Sequence, residues 1–308
     1  MSKNLTLSVS PHIHSGRSTS RIMLDVIIAL LPAAVAGCII FGLRSLLVIA
    51  VTVASAVAFE ALFNLIVKKK QTIGDFSAIV TGLLLALNLP ANVPLWQCVI
   101  GALFAIVVVK CLFGGLGCNP VNPAITARVF MLVAFGSMAK AAFPKGVDVV
   151  AGATPLASAE ATSLTDLLLG KHGGAIGETC AIALLIGFVY LLVRRVISWH
   201  LPVVFIGTVF VASFFMEGMN ATAALAAVLS GGLLIGAIFM ATDYVTSPST
   251  AWGKVIFGVG AGLITFLIRY YGVYPEGVSF AILLMNILTP FIDSWTKHKV
   301  FGVGGAKA

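Results

Sequence analysis

Charged side chains are scarce in this sequence: Asp, Glu, Lys and Arg make up 10% of its 308 residues, whereas hydrophobic residues make up 59%. The mean hydropathy of +1.08 is far above that of a soluble domain of this length. The 11 acidic residues are outnumbered by 19 Lys and Arg residues, which leaves a net charge of +8. Because most Lys and Arg residues flank apolar runs, we interpret this charge as a topology signal and expect no nucleic-acid partner. The composition predicts a polytopic membrane protein.

Cysteine pairs and a nucleotide-binding fingerprint are also missing. The five cysteines are scattered, and no two of them form a C-x-x-C pair. This spacing argues against an iron–sulfur cluster or a structural zinc site, so we expect no metal site. No G-x-G-x-x-G motif follows a strand, so we expect no NAD site. A redox role would therefore require partner subunits that supply these groups.

Apolar runs of membrane-crossing length make up most of the chain. Counting ten spans from a cytoplasmic N-terminal tail puts most basic residues on the cytoplasmic side, as the positive-inside rule requires. Omitting the shortest run would place the Arg194-Arg195 pair outside, so we retain it. The predicted spans cover residues 22–43, 45–67, 76–89, 94–113, 124–143, 178–196, 201–219, 221–242, 252–271 and 277–293.

The two halves of the chain resemble each other. TGLLLALNLPANVPLW (81–96) and SGGLLIGAIFMATDYVTSPSTAW (230–252) both contain a small-residue start, an apolar half-span, a proline-containing break and a tryptophan. Five spans in each half would invert the second copy, which predicts a binding site between the halves. We therefore expect an all-α polytopic membrane protein of about ten transmembrane helices in two inverted five-helix repeats. The expected parts are a cytoplasmic tail (1–21), a first repeat (22–143), an extracytoplasmic loop (144–177), a second repeat (178–296) and a cytoplasmic C-terminal tail (297–308).

Four motifs resemble one membrane-protein family. SPHIHSGRSTSRIMLDVIIALLPA (10–33), TGLLLALNLP (81–90), GGLGCNPVNPA (114–124) and DVVAGATPLA (148–157) are similar to motifs of RnfD, a membrane component of the Rnf complex, the ion-translocating ferredoxin:NAD oxidoreductase. RnfD is related to NqrB, a component of the Na⁺-pumping NADH:quinone oxidoreductase. The resemblance implies a protein of the prokaryotic inner membrane that transfers electrons coupled to Na⁺ or H⁺ translocation. It implies activity only within a complex, with ferredoxin and NAD as indirect partners.

The resemblance also implies a covalent flavin. In that family, a flavin transferase esterifies the threonine that ends an Asp-x-x-Ser/Thr-Gly-Ala-Thr pattern to the phosphate of FMN. Carried over to this sequence, Thr154 is the acceptor, and Asp148, Gly152 and Ala153 belong to the recognition pattern. Ala151 departs from the pattern, which usually has Ser or Thr there. The charge count independently predicts an extracytoplasmic loop, although from the residues alone a plain turn explains so short a motif.

GGLGCNPVNPA (114–124) is a second candidate site. Asn119 and Asn122 lie in a break before a helix that should begin near Pro123, and Arg128 lies one turn into it. The N–H groups at the start of that helix could receive a polar ligand. Helix capping by Asn and interfacial anchoring by Arg128 explain the same residues equally well. The resemblance implies a non-covalent riboflavin, which we place near these residues.

Asp25 and Glu60 lie among apolar residues of the predicted spans. Charged groups at membrane depth are costly, so both are candidates for an ion pathway, and a structural contact between helices would explain them equally well. Three other functions stay open: the quinone-reductase counterpart, NqrB; a solute channel of the urea-transporter kind; and a structural scaffold for redox subunits. The short N-terminal tail argues against NqrB.

Overall fold

The computed structural model of the chain describes residues 18–136, 142–144, 163–170, 172–272 and 277–297. Within these ranges the backbone forms twelve α-helices and no strand, which confirms the predicted all-α class. Helices suit a bilayer because they satisfy their own backbone hydrogen bonds. The twelve helices of the described residues are α1 (Thr19–Phe41), α2 (Leu43–Ile66), α3 (Ser77–Leu87), α4 (Leu95–Cys111), α5 (Pro123–Ala134), α6 (Leu164–Leu169), α7 (Ala181–Val193), α8 (His200–Met216), α9 (Ala221–Leu229), α10 (Leu233–Met240), α11 (Ala251–Tyr271) and α12 (Val278–Thr296).

The helix lengths differ from those of ten full spans. Among the described residues, α1, α2, α11 and α12 are long and apolar enough to cross a bilayer alone, and the bent pair of α9 and α10 would add a fifth span. The apolar helices α3, α4, α5, α7 and α8 have 10–17 residues, fewer than the about 20 that a bilayer core requires. Each predicted run contains a helix or a helix pair, and the crossing of the membrane by all ten stays a prediction.

Two of the short helices end at breaks that the sequence predicts. α3 ends at Leu87, and α4 begins at Leu95 after the proline Pro94, which has no N–H to donate to a preceding turn. α9 and α10 are separated by residues 230–232 and meet at an angle of 67°. Gly231 has a φ of 66° there, a left-handed conformation that glycine adopts at little cost.

A loop segment, residues 172–180, closes the structure beside the first break. The N–H of Ile176 donates to the carbonyl of Leu89 at 3.0 Å, and the N–H of Gly177 donates to the carbonyl of Leu87 at 2.7 Å. These carbonyls lie at the end of α3. No further helical turn follows there whose N–H groups could donate to them. The segment therefore supplies the donors that a longer α3 would have supplied itself.

The helices pack as two groups. α2 packs against α3 and α4 in the first half, and α8 packs against α9 and α11 in the second. α1 packs against α7, and α5 packs against α12, so these two contacts join the halves. Close approach of α7 to α1 depends on Gly187, where an added Cβ would lie 2.3 Å from the carbonyl oxygen of Ala29 and 2.8 Å from the ring of Phe239.

Gly187→Ala should therefore destabilise the contact between the halves. Overpacking a tight helix contact costs about 1 to 3 kcal/mol, and we expect a loss of this size in the free energy of unfolding in detergent. Gly207→Ala in α8 is the matched control, because no atom lies within 4 Å of the Cβ it would add. Equal stability of the two variants would contradict the close packing of α1 and α7.

Candidate functional site

A cavity opens between the two halves of the protein. α1 and α3 form one side, and the start of α5 and the segment after α10 form the other. Counted together with the open solvent at its mouth, its volume is about 770 Å³. Most of the wall is aliphatic. The polar lining residues include Ser77, Thr81, Lys110, Asn119, Asn122 and Asp243.

Asn122 fixes the polar end of the cavity. Its Oδ1 accepts from the N–H groups of Ala124 and Ile125 at 3.0 and 3.3 Å, so it caps α5, which begins at Pro123 as predicted. Its Nδ2 donates to the carbonyl of Met240 at 3.1 Å, at the end of α10. The capping interpretation that the sequence left open therefore holds for Asn122. One buried side chain joins the first half of the chain to the second.

Asn119 and Asp243 lie beside this cap on the cavity wall. Asn119 donates from Nδ2 to the carbonyl of Val121 at 3.0 Å, and Asp243 accepts from the hydroxyl of Thr246 at 3.2 Å. Burial raises the pKa of Asp243, and hydrogen bonds from Thr246 and Asn119 offset only part of this effect. Asp243 lies between α10 and α11, and it binds a proton more readily than an exposed aspartate.

Lys110, which lines the cavity, belongs to a buried ion pair with Glu60. Lys110 of α4 donates to both carboxylate oxygens of Glu60 at 3.0 and 2.9 Å and to Ser77 Oγ at 2.6 Å. Lys110 is 2% exposed and Glu60 is 3% exposed. The hydroxyl of Thr72 donates to Glu60 at 2.6 Å, and that of Ser77 donates to Asp75 at 2.5 Å. This network connects the cavity with the loop between α2 and α3.

Glu60 therefore makes the structural contact that the sequence allowed, and its role in an ion pathway stays a prediction. Sequence reasoning did not select Lys110 as a site residue. The signal was available, since Lys110 is a lone cation near the end of an apolar run, and a buried lysine requires an anionic partner. The partner itself, 50 positions earlier, could not be read from the sequence.

Asp25, the second ion-pathway candidate, lies in a separate contact. It accepts from the hydroxyl of Tyr190 at 2.9 Å and from Arg194 at 3.3 Å, which ties α1 to the end of α7. Asp25 and Glu60 thus belong to different ion pairs.

Arg128 is 2% exposed, so the interfacial anchoring considered for it is wrong. It is also not among the residues that line the cavity.

Glu178 is a buried acid that sequence reasoning missed. It is 5% exposed, and its Oε1 accepts from the N–H of Ala175 at 2.8 Å. Its other oxygen lies close to Gly232 at the start of α10, where a helix N-terminus favours a negative charge. The signal for it was its position at the end of the glycine-rich stretch HGGAIGE (172–178), because glycine permits close approach of another backbone segment.

The proposed flavin attachment motif lies outside the described residues. The motif residues outside the described ranges are Asp148, Gly152, Ala153 and Thr154.

Comparison with known proteins identifies the family. The model of the NQR2, RnfD, RnfE family matches residues 6–302. The chain belongs to this family. It is 47% identical to the D subunit of the Na⁺-translocating ferredoxin:NAD⁺ oxidoreductase complex of Acetobacterium woodii, over 97% of this chain and 96% of the relative. It is 41% identical to the D subunit of the proton-translocating complex of Clostridium ljungdahlii, over 97% of both chains. The D subunit of an ion-translocating oxidoreductase complex of Citrobacter koseri is 36% identical, over 96% of this chain and 98% of the relative.

In this member of the NQR2, RnfD, RnfE family, the Lys110–Glu60 pair should be essential for stability. Lys110→Met would leave Glu60 buried and uncompensated, and such a loss costs about 3 to 5 kcal/mol in the free energy of unfolding. The double variant Glu60→Gln with Lys110→Met should recover most of this loss, because it buries no charge.

Denaturant titration of the purified chain would measure these differences. Arg194→Met is the matched control, because the Arg194 side chain in the pair with Asp25 is 55% exposed and the pair should contribute far less. Equal losses for Lys110→Met and Arg194→Met, or no recovery in the double variant, would contradict the assignment.

Proposed function

We propose that this protein is the membrane subunit of an Rnf-type ferredoxin:NAD oxidoreductase and transfers electrons coupled to the translocation of Na⁺ or H⁺. The observation that carries the proposal is the family membership along 97% of the chain, at 47% identity to a relative with this name. The protein is an oxidoreductase component that works only in its assembly. Ferredoxin and NAD act on other subunits, which bind the clusters and the nucleotide.

Thr154 is the proposed acceptor of covalent FMN. Its support is the sequence Asp148-x-x-x-Gly152-Ala153-Thr154, which resembles the family pattern apart from Ala151. A flavin transferase would form the phosphoester to the threonine hydroxyl, so this enzyme is a required partner during maturation. A covalent bond retains a redox group at the protein without a large binding surface.

The central cavity is the proposed site of a second, non-covalent flavin, which we take to be riboflavin. An aliphatic wall with amide and carboxyl groups at one end matches the isoalloxazine ring, whose faces are apolar and whose edges accept and donate hydrogen bonds. Flavins supply one- and two-electron transfer when bound. Asn119 and Asp243 are the proposed ligand contacts, whereas Asn122 positions them by capping α5, and the buried Arg128 lies outside the wall.

Ten spans in two inverted repeats are the proposed topology. Its support is the matching of α2 with α3 and α4 against α8 with α9 and α11. With both termini cytoplasmic, the loop of residues 144–177 is extracytoplasmic, and the two flavins would lie at different depths.

Glu60 and Asp25 remain the proposed ion-pathway residues. Because Glu60 is already neutralised by Lys110, a cation would reach it only if that pair opened.

The covalent flavin is tested on Thr154. Wild-type protein co-expressed with a flavin transferase should show an FMN-sized increment in intact mass and a fluorescent band in a denaturing gel. Thr154→Ala should lose both. Thr162→Ala, a threonine of the same loop without a preceding Gly-Ala, is the matched control and should retain them. An increment that persists in Thr154→Ala would contradict the assignment.

The non-covalent flavin is tested on Asn119. Removing one hydrogen-bonding amide from a buried ligand site weakens binding about tenfold, so Asn119→Ala should retain much less flavin releasable by denaturation. Its covalent FMN should be unchanged. Asn220→Ala, which removes the exposed cap of α9, is the control. Equal amounts of releasable flavin in Asn119→Ala and wild type would exclude this cavity as the site.

A further inference from the structure

A second cavity, outside the proposed flavin site, is lined by cations and hydroxyl groups. It lies between the end of α7, the turn into α8, the segment after α10 and the start of α11, and its volume counted to the open mouth is about 540 Å³. Arg195 and Lys254 contribute two positive charges to its wall. Its lining lies wholly within the described part of the chain and contains no acidic residue. The hydroxyl groups come from Ser198, Thr242, Tyr244 and Ser247.

Hydrogen bonds hold the walls of this cavity in place. Lys254 donates from Nζ to the hydroxyl of Ser198 at 3.1 Å, which joins α11 to the turn before α8. The hydroxyl of Tyr244 donates to the carbonyl of Val196 and joins the segment after α10 to the same turn. These contacts link three chain segments around the cavity, so Lys254 is positioned before any ligand binds.

Arg195 occupies a backbone position that normally favours glycine. Its φ is 52°, and its N–H and that of Val196 donate to the carbonyls of Leu192 and Leu191 at the end of α7. Helices commonly end in this left-handed conformation at a glycine. An arginine there places a permanent positive charge on the cavity wall.

The cavity lies next to features of a membrane–water interface. Trp199 and Trp252 flank it in sequence and are 54% and 72% exposed, and exposed tryptophans concentrate at the level of lipid headgroups. The outer faces of α8 and α11, which begin at the cavity, expose an aliphatic surface. Its members include Val203, Val211, Ile256, Leu263 and Leu267.

We propose that this cavity binds the phosphodiester headgroup of an anionic phospholipid, of which phosphatidylglycerol is an example. Arg195 and Lys254 would neutralise the phosphate, and the hydroxyl groups of Ser198 and Ser247 would donate to its oxygens. An acyl chain would lie along the aliphatic surface of α8 and α11. The proposal rests on charge complementarity and is independent of the flavin assignments.

The test is lipid binding to the full chain in a neutral detergent, followed by native mass spectrometry. The probes are phosphatidylglycerol, phosphatidylcholine and inorganic phosphate. We expect one phosphatidylglycerol to bind at least tenfold more tightly than phosphatidylcholine. Arg195→Gly and Lys254→Gln should each reduce that affinity about tenfold. Lys297→Gln, which removes an exposed cation outside the cavity, should leave the affinity unchanged.

Three results would overturn the proposal: equal affinities for the two lipids, unchanged affinity in both cavity variants, or binding of inorganic phosphate as tight as that of phosphatidylglycerol. The last result would indicate a site for a free anion. Arg195→Gly suits the backbone conformation at φ of 52°, so loss of binding in this variant would not reflect a strained turn. The comparison of the two lipids on the wild-type chain requires no variant.

Discussion

The backbone of a membrane protein must satisfy its own hydrogen bonds, and the centre of this structure is arranged around that constraint. α3 stops after eleven residues, and α9 breaks before α10, so carbonyl and N–H groups would lie open at depth. The segment of residues 172–180 donates to two of these carbonyls, and Asn122 donates to a third at the end of α10. The breaks therefore make a polar centre in an apolar protein.

That polar centre determines where the proposed redox site lies. The cavity lies where the start of α5 and the end of α10 meet through Asn122, with Asn119 and Asp243 beside it. Lys110 lies in the wall, and its pair with Glu60 extends through Thr72 toward the loop before α3. An ion pair in this position is sensitive to the charge of a bound ligand, because little water is present to screen it. The structure thus places a proposed redox site against Lys110, the ion-pair partner of a proposed ion-pathway residue.

Local features of this fold could be predicted from the sequence. Apolar runs indicate the helices, glycine and proline indicate the breaks before α4 and α10, and Asn122-Pro123 indicates the start of α5, because these signals act within a few residues. Pairings between distant residues could not be predicted: Asp25 meets Arg194 across 169 positions. The burial of Arg128 and Glu178 depends on packing in the same way. Helix length was also overestimated, since hydropathy does not show where a span is interrupted.

The central claim is that the cavity between the halves holds a flavin separate from the one on Thr154. A cryo-electron microscopy map of the assembled complex, purified with its flavins, tests this most directly. The account predicts planar, ring-shaped density in contact with Asn119 and Asp243, and additional density continuous with the side chain of Thr154. A cavity that contains only lipid or water density, with a non-covalent flavin bound elsewhere, would contradict it.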